Sequence, residues 1–324
     1  MAFVTLSSSN TARSIVTLTV NPALDISTST PRVMSEHKLR CGPSRIDPGG
    51  GGVNVARTIR RLGGDALAIY AVGGLTGATY RELLEAEGVP SLAVPVAGMT
   101  RESFTVDETD SGEQFRFVLQ GPELSEAEWQ GCLATLEGAI APGGYVVASG
   151  SLPPGVPADF YARVARLAHQ HDARSIVDAS GEALDAALAE GVYLVKPSRR
   201  ELSELVGREL NTEKSEVDAA SELVARGSAE LVALTLGKAG AVLASASGVI
   251  RLPVPKVRVQ SVVGAGDGFL GAFVWRLSQG RDPESAFRSA VAAGSATAAK
   301  LATDMCTLAE VEALETVLPE ATRY

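Results

Sequence analysis

The chain has 324 residues, 45% of them hydrophobic, and its 29 basic and 38 acidic side chains leave a net charge of -9. That apolar content supplies a large core and excludes global disorder, and with no block of basic residues an electrostatic footprint for nucleic acid is excluded as well. Cys41, Cys132 and Cys306 are unclustered, which argues for a reducing compartment and against structural zinc. His37 stands alone, and His169 and His171, two apart in a predicted helix, point to different faces. Residues 1–14 carry no signal-peptide pattern, and no apolar run reaches the roughly 18 residues of a membrane span. The expectation is a cytoplasmic protein without a membrane partner, a single domain over 1–324 with 1–14 as an amino-terminal extension.

In chain order, Ile15 to Val20 reads as a buried strand, and Asn21-Pro22-Ala23-Leu24-Asp25 then places a carboxylate at its carboxyl end. Residues 26–46 are turn-rich and leave the pattern. Asp47-Pro48 leads into Gly49, Gly50, Gly51 and Gly52 and a helix over Val53 to Leu62. Bare backbone there lets a ligand come close, and Asn54, one turn in, offers a donor and an acceptor to sugar hydroxyls. Ala66 to Val72 is the next strand. Residues 92–119 depart again, with Ser103 to Asp107 and Gln114 to Val118 alternating as half-buried antiparallel strands. The two excursions predict a small β lid that covers an active site or a second subunit.

Further strands are predicted at Tyr145 to Ala148, Ser175 to Val177, Tyr193 to Val195 and Leu231 to Leu236, with a helix over Pro157 to His171. Turns follow at Ser149 to Gly155, Lys196 to Glu201 and Thr235 to Gly240. A strand-like stretch, Lys256 to Val262, precedes Val263-Gly264-Ala265-Gly266-Asp267-Gly268-Phe269 and a mainly helical segment to Leu318. The alternation implies βαβ units in an α/β, doubly wound, mostly parallel sheet. The turns lie at strand carboxyl ends, the edge where open α/β sheets bind ligands.

The turn around Asp267 carries the most chemistry. Small residues expose the N-H groups of a helix start, which stabilise a moving phosphoryl group, while the carboxylate orients a hydroxyl and takes its proton. Gly266, Gly268 and Gly271 also match GxGxxG, but a dinucleotide fold wants a second strand ending in an acidic residue about 20 residues on, and the helical pattern continues instead. No GxxxxGK[ST] is present, so a Walker A phosphate loop is excluded.

These motifs, from about Ile15 to Cys306, resemble the ribokinase-like (pfkB) carbohydrate kinase family, and within it the branch of minor bacterial 6-phosphofructokinases. The resemblance rests on the glycine run with Asn54, Gly264-Ala265-Gly266-Asp267, Asn21 to Asp25, Lys38-Leu39-Arg40-Cys41, Thr100-Arg101 and Ser149 to Gly155. It implies a three-layer fold with a β lid, a homodimer formed through that lid, and glycolytic transfer of the ATP γ-phosphoryl group to the 1-hydroxyl of fructose 6-phosphate. Tagatose 6-phosphate or fructose 1-phosphate is the alternative substrate and a non-enzymatic sugar-phosphate sensor the alternative class; relatives acting on those two sugars usually carry Lys where Gly51 stands. The resemblance implies Asp267 as base and Gly264, Ala265 and Gly266 as anion hole. Asp25, Gly50, Gly51, Gly52 and Asn54 would hold the sugar, and Lys38, Arg40, Arg101 and Ser151 its phosphate. Lys196, Ser198, Thr235, Gly237, Lys238, Ala239, Gly240 and Ser295 would contact the nucleotide, with Glu201 organising magnesium. A monovalent-cation loop is implied around Ser261, Val263 and Thr297 to Asp304. The chain departs from the family at Ser198, where Asn is usual, at Val262, where Thr is, and at Lys300 and Ala302, where Asn and Gly are frequent. The last two put potassium in question, one expectation being that the Lys300 ammonium stands in the cation's place.

Overall fold

The computed structural model describes residues 13–324, so the extension over 1–14 falls almost wholly outside the described residues. Strand β1 (Ile15–Thr19) enters the core, and the chain leaves it for β2 (Ala23–Thr30) and β3 (Arg45–Gly49) before α1 (Gly51–Arg61) returns. After β4 (Leu67–Val72), α2 (Gly74–Ala86) and β5 (Ser91–Pro95), it departs again through β6 (Arg101–Glu108) and β7 (Gln114–Val118). The core continues with α3 (Glu126–Glu137), β8 (Tyr145–Ser149), α4 (Phe160–Gln170), β9 (Arg174–Asp178), α5 (Glu182–Glu190), β10 (Val192–Val195), α6 (Arg199–Val206), α7 (Glu213–Ala225) and β11 (Ala229–Thr235). A hairpin of β12 (Ala241–Ser245) and β13 (Gly248–Leu252) precedes α8 (Ala265–Ser278), α9 (Pro283–Ala298), α10 (Leu308–Glu315) and β14 (Thr322–Arg323).

The large sheet has the order β14-β13-β12-β11-β10-β9-β8-β1-β4-β5. From β11 to β5 every pairing is parallel, and β1 and β8 are buried along their whole length, as strands covered on both faces must be. One apolar cluster joins the sheet to α1, α2, α8, α9 and α10, and a second joins its other face to α3, α4, α5, α6 and α7. These make three layers. The direction of winding reverses at β1, which lies between β4 and β8, so a crevice opens at its carboxyl end. Helix α8 is held at that crevice by Phe269, Phe273 and Phe287, whose rings meet at 5.9 to 6.1 Å. Each such pair contributes about 0.5–1.5 kcal/mol beyond its buried area.

The second sheet, β3-β2-β6-β7, is the lid. Its bounds differ from those predicted. β5, placed in the second excursion by sequence, pairs with β4 as the edge of the large sheet, and Asp25 is not a turn residue after β1 but lies within β2. The outer pairings are antiparallel, β6–β7 as the alternation of Ser103 to Asp107 and Gln114 to Val118 predicts, whereas the central β2–β6 pairing is parallel. The long crossover through the core between β2 and β6 permits this, since parallel neighbours need such a connection. Lys256 to Val262 also forms no strand; Pro253 and Pro255 lack the N-H groups that would prolong the β13 ladder.

Candidate active site

A cavity of about 310 Å³ lies between the lid and the carboxyl edge of the large sheet, bounded by the starts of α1 and α8. Gly264 caps α8 with φ 76°, a left-handed conformation that favours glycine. The turn it makes sets Asp267 in the first turn of α8, on the cavity wall. Asn54, in the first turn of α1, donates from Nδ2 to Asp267 Oδ2 at 2.9 Å. Burial is the main cause that pushes the Asp267 carboxyl up to about 7; Asp178 adds to it, while the Asn54 hydrogen bond and Lys196 oppose it. A carboxyl poised near neutrality beside helix-start N-H groups has the chemistry to take a proton from a hydroxyl while those N-H groups meet an anion.

Lys196, at the end of β10, holds its ammonium 3.1 Å from Asp178 Oδ1. Burial disfavours that charge, but Asp178 and Asp267 outweigh it and raise the Lys196 pKa, so the ammonium is retained. A Cβ at Gly266 would meet Lys196 Nζ at 3.3 Å, which puts the cation against the α8 turn. Asp178 also accepts from Ser149 Oγ at 3.3 Å, and burial raises its own pKa against the pull of Lys196.

The lid supplies the opposite wall. Cross-strand register aligns Asp47, Asp25, Ser103 and Val118 in one row and Ser27, Thr105 and Arg116 in the next. Burial raises the Asp25 carboxyl to about 6, opposed by Arg101, Arg116 and Arg57. The Arg101 guanidinium is fixed by the Asn21 carbonyl at 3.1 Å and the Leu119 carbonyl at 3.2 Å. Ser151 accepts from Asn21 Nδ2 at 3.0 Å. At Gly51 a Cβ would stand 2.2 Å from Ser149 Oγ, so no larger side chain fits the start of α1 there.

Of the residues expected from sequence, Asp25, Gly50, Gly51, Asn54, Arg101, Ser151, Glu201, Val263, Gly264 and Asp267 line this one cavity. Ala265 and Gly266 form the α8 turn behind it, and Gly52 is buried in α1, where Val53 N-H donates to Thr19 Oγ1. Lys38 and Arg40 are not brought in, being exposed on the β2–β3 loop. Ser198 caps α6, with Glu201 Oε2 accepting from its N-H at 2.7 Å, and bridges to Thr235. Thr235, Gly237, Lys238, Ala239 and Gly240 thus flank the β10 end beside the cavity without lining it. Ser295 is buried in α9 and donates to Val291 O within the helix. Ser261 accepts from Val263 N-H at 3.2 Å and from Gln114 of the lid at 3.4 Å, and Thr297 is buried against the first turn of α8. Lys300 is bound by Glu310, in the capping box that opens α10. Its charge is met there by a carboxylate.

Sequence reasoning missed Asp178 and Arg116. Asp178 follows the predicted strand directly, and the strand-end rule that selected Lys196 would have found it. Arg116 faces the cavity only through lid register, which has no local signal.

A buried carboxylate at a helix start, facing an arginine-bearing β lid on a three-layer sheet, is the architecture of a sugar kinase of ribokinase-like fold. The pfkB family carbohydrate kinase model matches residues 22–309, and the chain belongs to that family. It is 47% identical over 298 residues to ATP-dependent 6-phosphofructokinase isozyme 2 of Mycobacterium tuberculosis, covering 92% of this chain and 88% of that one. The crystal structure of phosphofructokinase-2 from Escherichia coli in complex with substrates and products superposes with TM-score 0.90 at 41% identity, covering 94% of this chain and 99% of the other. The same enzyme in complex with potassium also gives 0.90, at 42% identity and the same coverage.

Proposed function

We propose that the chain transfers the γ-phosphoryl group of ATP to the 1-hydroxyl of fructose 6-phosphate, giving fructose 1,6-bisphosphate and ADP. The observation that carries this reading is the buried Asp267 carboxylate, held by Asn54 in front of the α8 N-terminus and facing a lid that presents Arg101 and Arg116. Asp25 and Asn54 bind sugar hydroxyls, and the two arginines hold the 6-phosphate. Asp267 takes the hydroxyl proton as its oxygen attacks in line, while the Gly264 to Gly266 backbone and Lys196 meet the charge on the transferring group. Magnesium fits the donor set, because Asp178 and Glu201 both face the cavity and the charge of Glu201 raises the Asp178 pKa. A divalent ion with oxygen ligands, bound there, would relieve that repulsion and neutralise phosphate charge.

A potassium site at Ser261, Val263 and Thr297 is supported by the buried Thr297 hydroxyl, which has no hydrogen-bond partner among the described residues. The loop still holds Ala302 at φ 54°, a left-handed conformation natural to the glycine frequent there. Potassium should raise both turnover and melting temperature relative to sodium; absence of both effects would remove the site. The outer lid face supports a homodimer, since Ile46, Ile26, Phe104 and Phe117 form an unbroken apolar row across all four strands. In that dimer the exposed Lys38 and Arg40 would serve a phosphate from across the interface. ADP release measured across fructose 6-phosphate, tagatose 6-phosphate, fructose 1-phosphate and free ketoses tests the function. Preference for another sugar would overturn the substrate, and no release with any would favour a sensor.

A further inference from the structure

Among the described residues, Arg57 has the largest side chain that is fully withdrawn from solvent, at 1% exposure, and it does not line the cavity. A buried guanidinium is tolerated only where its donors are matched. Its Nε and Nη2 form a fork with Glu87 Oε2 and Oε1 at 2.8 and 2.6 Å. Its Nη1 donates to the Pro48 carbonyl at 3.1 Å and to Asn54 Oδ1 at 3.0 Å. Asn54 then donates from Nδ2 to Asp267 Oδ2.

Chemistry fixes the polarity of this chain. Arginine has only donors and a carboxylate only acceptors, so one orientation of the Asn54 amide satisfies both neighbours. Flipped, it would set donor against donor at Arg57 and acceptor against acceptor at Asp267. Glu87, just past the end of α2, holds Arg57 from a separate helix, so the orientation of the amide is set by packing outside the cavity.

We propose that Arg57, clamped by Glu87, is a positioning residue for phosphoryl transfer, locking the Asn54 amide in the orientation that holds the Asp267 carboxylate ready for the sugar hydroxyl. This rests on the reading of Asp267 as the base. A competing route exists through the Pro48 carbonyl, by which Arg57 would instead shape the glycine turn.

A double-mutant cycle separates the two routes. Arg57→Lys, Glu87→Gln, Asn54→Ala and the two double variants with Asn54→Ala are assayed for kcat and for both KM values. Loss of the guanidinium fork, which alone reaches Glu87 and Asn54 together, should lower kcat about ten- to hundredfold in Arg57→Lys, with the KM for ATP unchanged. Neither Arg57→Lys nor Glu87→Gln should lower kcat further once Asn54 is Ala. The acid limb of the kcat profile should also move to higher pH in Arg57→Lys as in Asn54→Ala, because the amide donor favours the ionised carboxylate. Asp178, Lys196 and Asp25, the other charges that act on Asp267, are left in place. Multiplying losses in the double variants, or an unchanged kcat and pH profile in the folded single variants, would overturn the proposal. Should Arg57→Lys fail to fold, Glu87→Gln carries the same cycle, since Gln keeps the volume and one acceptor. Failure of the underlying base reading shows separately, as near-normal turnover in Asp267→Asn.

Discussion

Replacing Asp267 with Asn should abolish most activity and at the same time stabilise the protein, and the two effects have one origin. The carboxyl rises from its ordinary 3.8 to about 7 mainly because the site strips it of water. Those roughly three pH units, at 1.36 kcal/mol each, make the ionised form cost the fold about 4 kcal/mol. The sign follows from the raised pKa: below about pH 4 the group is protonated folded or unfolded and costs nothing, whereas the cost grows as pH rises and is complete above about 7. Asparagine keeps the shape, accepts from Asn54 and carries no charge. Urea unfolding should therefore show a stability gain for the variant that is larger at pH 8 than at pH 5, by about 2–3 kcal/mol. Turnover at pH 8 should fall about 100- to 10,000-fold, the usual worth of a general base, with nucleotide binding retained. Near-normal turnover would refute the assignment of the base, and a variant less stable at pH 8 than the parent would refute the electrostatic account of the site.

The same pKa predicts that kcat/KM for the sugar phosphate falls tenfold per pH unit below about 7, and a flat profile down to pH 5 would mean that proton removal is not required. Arg101→Ala and Arg116→Ala should each raise the sugar-phosphate KM about ten- to hundredfold and leave that of ATP alone; an unchanged value removes the residue from the phosphate site. Gly51→Ala should lower both stability, by about 1–3 kcal/mol, and activity, because the new Cβ meets Ser149 Oγ at 2.2 Å and the start of α1 must shift with Asn54. A folded, active Gly51→Ala enzyme would show that the turn is slack. Phe117→Asp, on the outer lid face, should yield monomers in sedimentation while keeping the fold; an unchanged assembly would place any interface elsewhere.

What could be read from the sequence was what is encoded locally. Runs such as Ile15 to Val20 and Tyr145 to Ala148 announce doubly buried strands, and turns at their carboxyl ends mark the ligand-binding edge, so Asp267, Asn54 and Lys196 were singled out without a structure and the fold brings them together. Asp25 was found for an incorrect reason: its turn-like surroundings hid that Ala23 to Thr30 is a lid strand. The failure at β5 is similar, since Ser91–Pro95 is mostly exposed, as an edge strand is, and nothing local says which sheet it edges. Register in the lid is set by pairings between residues up to 78 positions apart, as Ala23 with Arg101, and it alone decides that Arg116 faces the cavity while Phe115 and Phe117 face away.

Arg57 shows the same limit at the level of charge. In sequence it is one more basic residue on a helix that ends Arg60-Arg61, with every reason to be solvated. Its burial depends on Glu87 arriving from another helix 30 residues on, and its use depends on its meeting the amide oxygen of Asn54 rather than the nitrogen. Motif reading selects the side chains that touch substrate, because those must sit at strand ends and helix starts. It passes over the buried partners that orient them, because their chemistry is specified by three-dimensional contact alone.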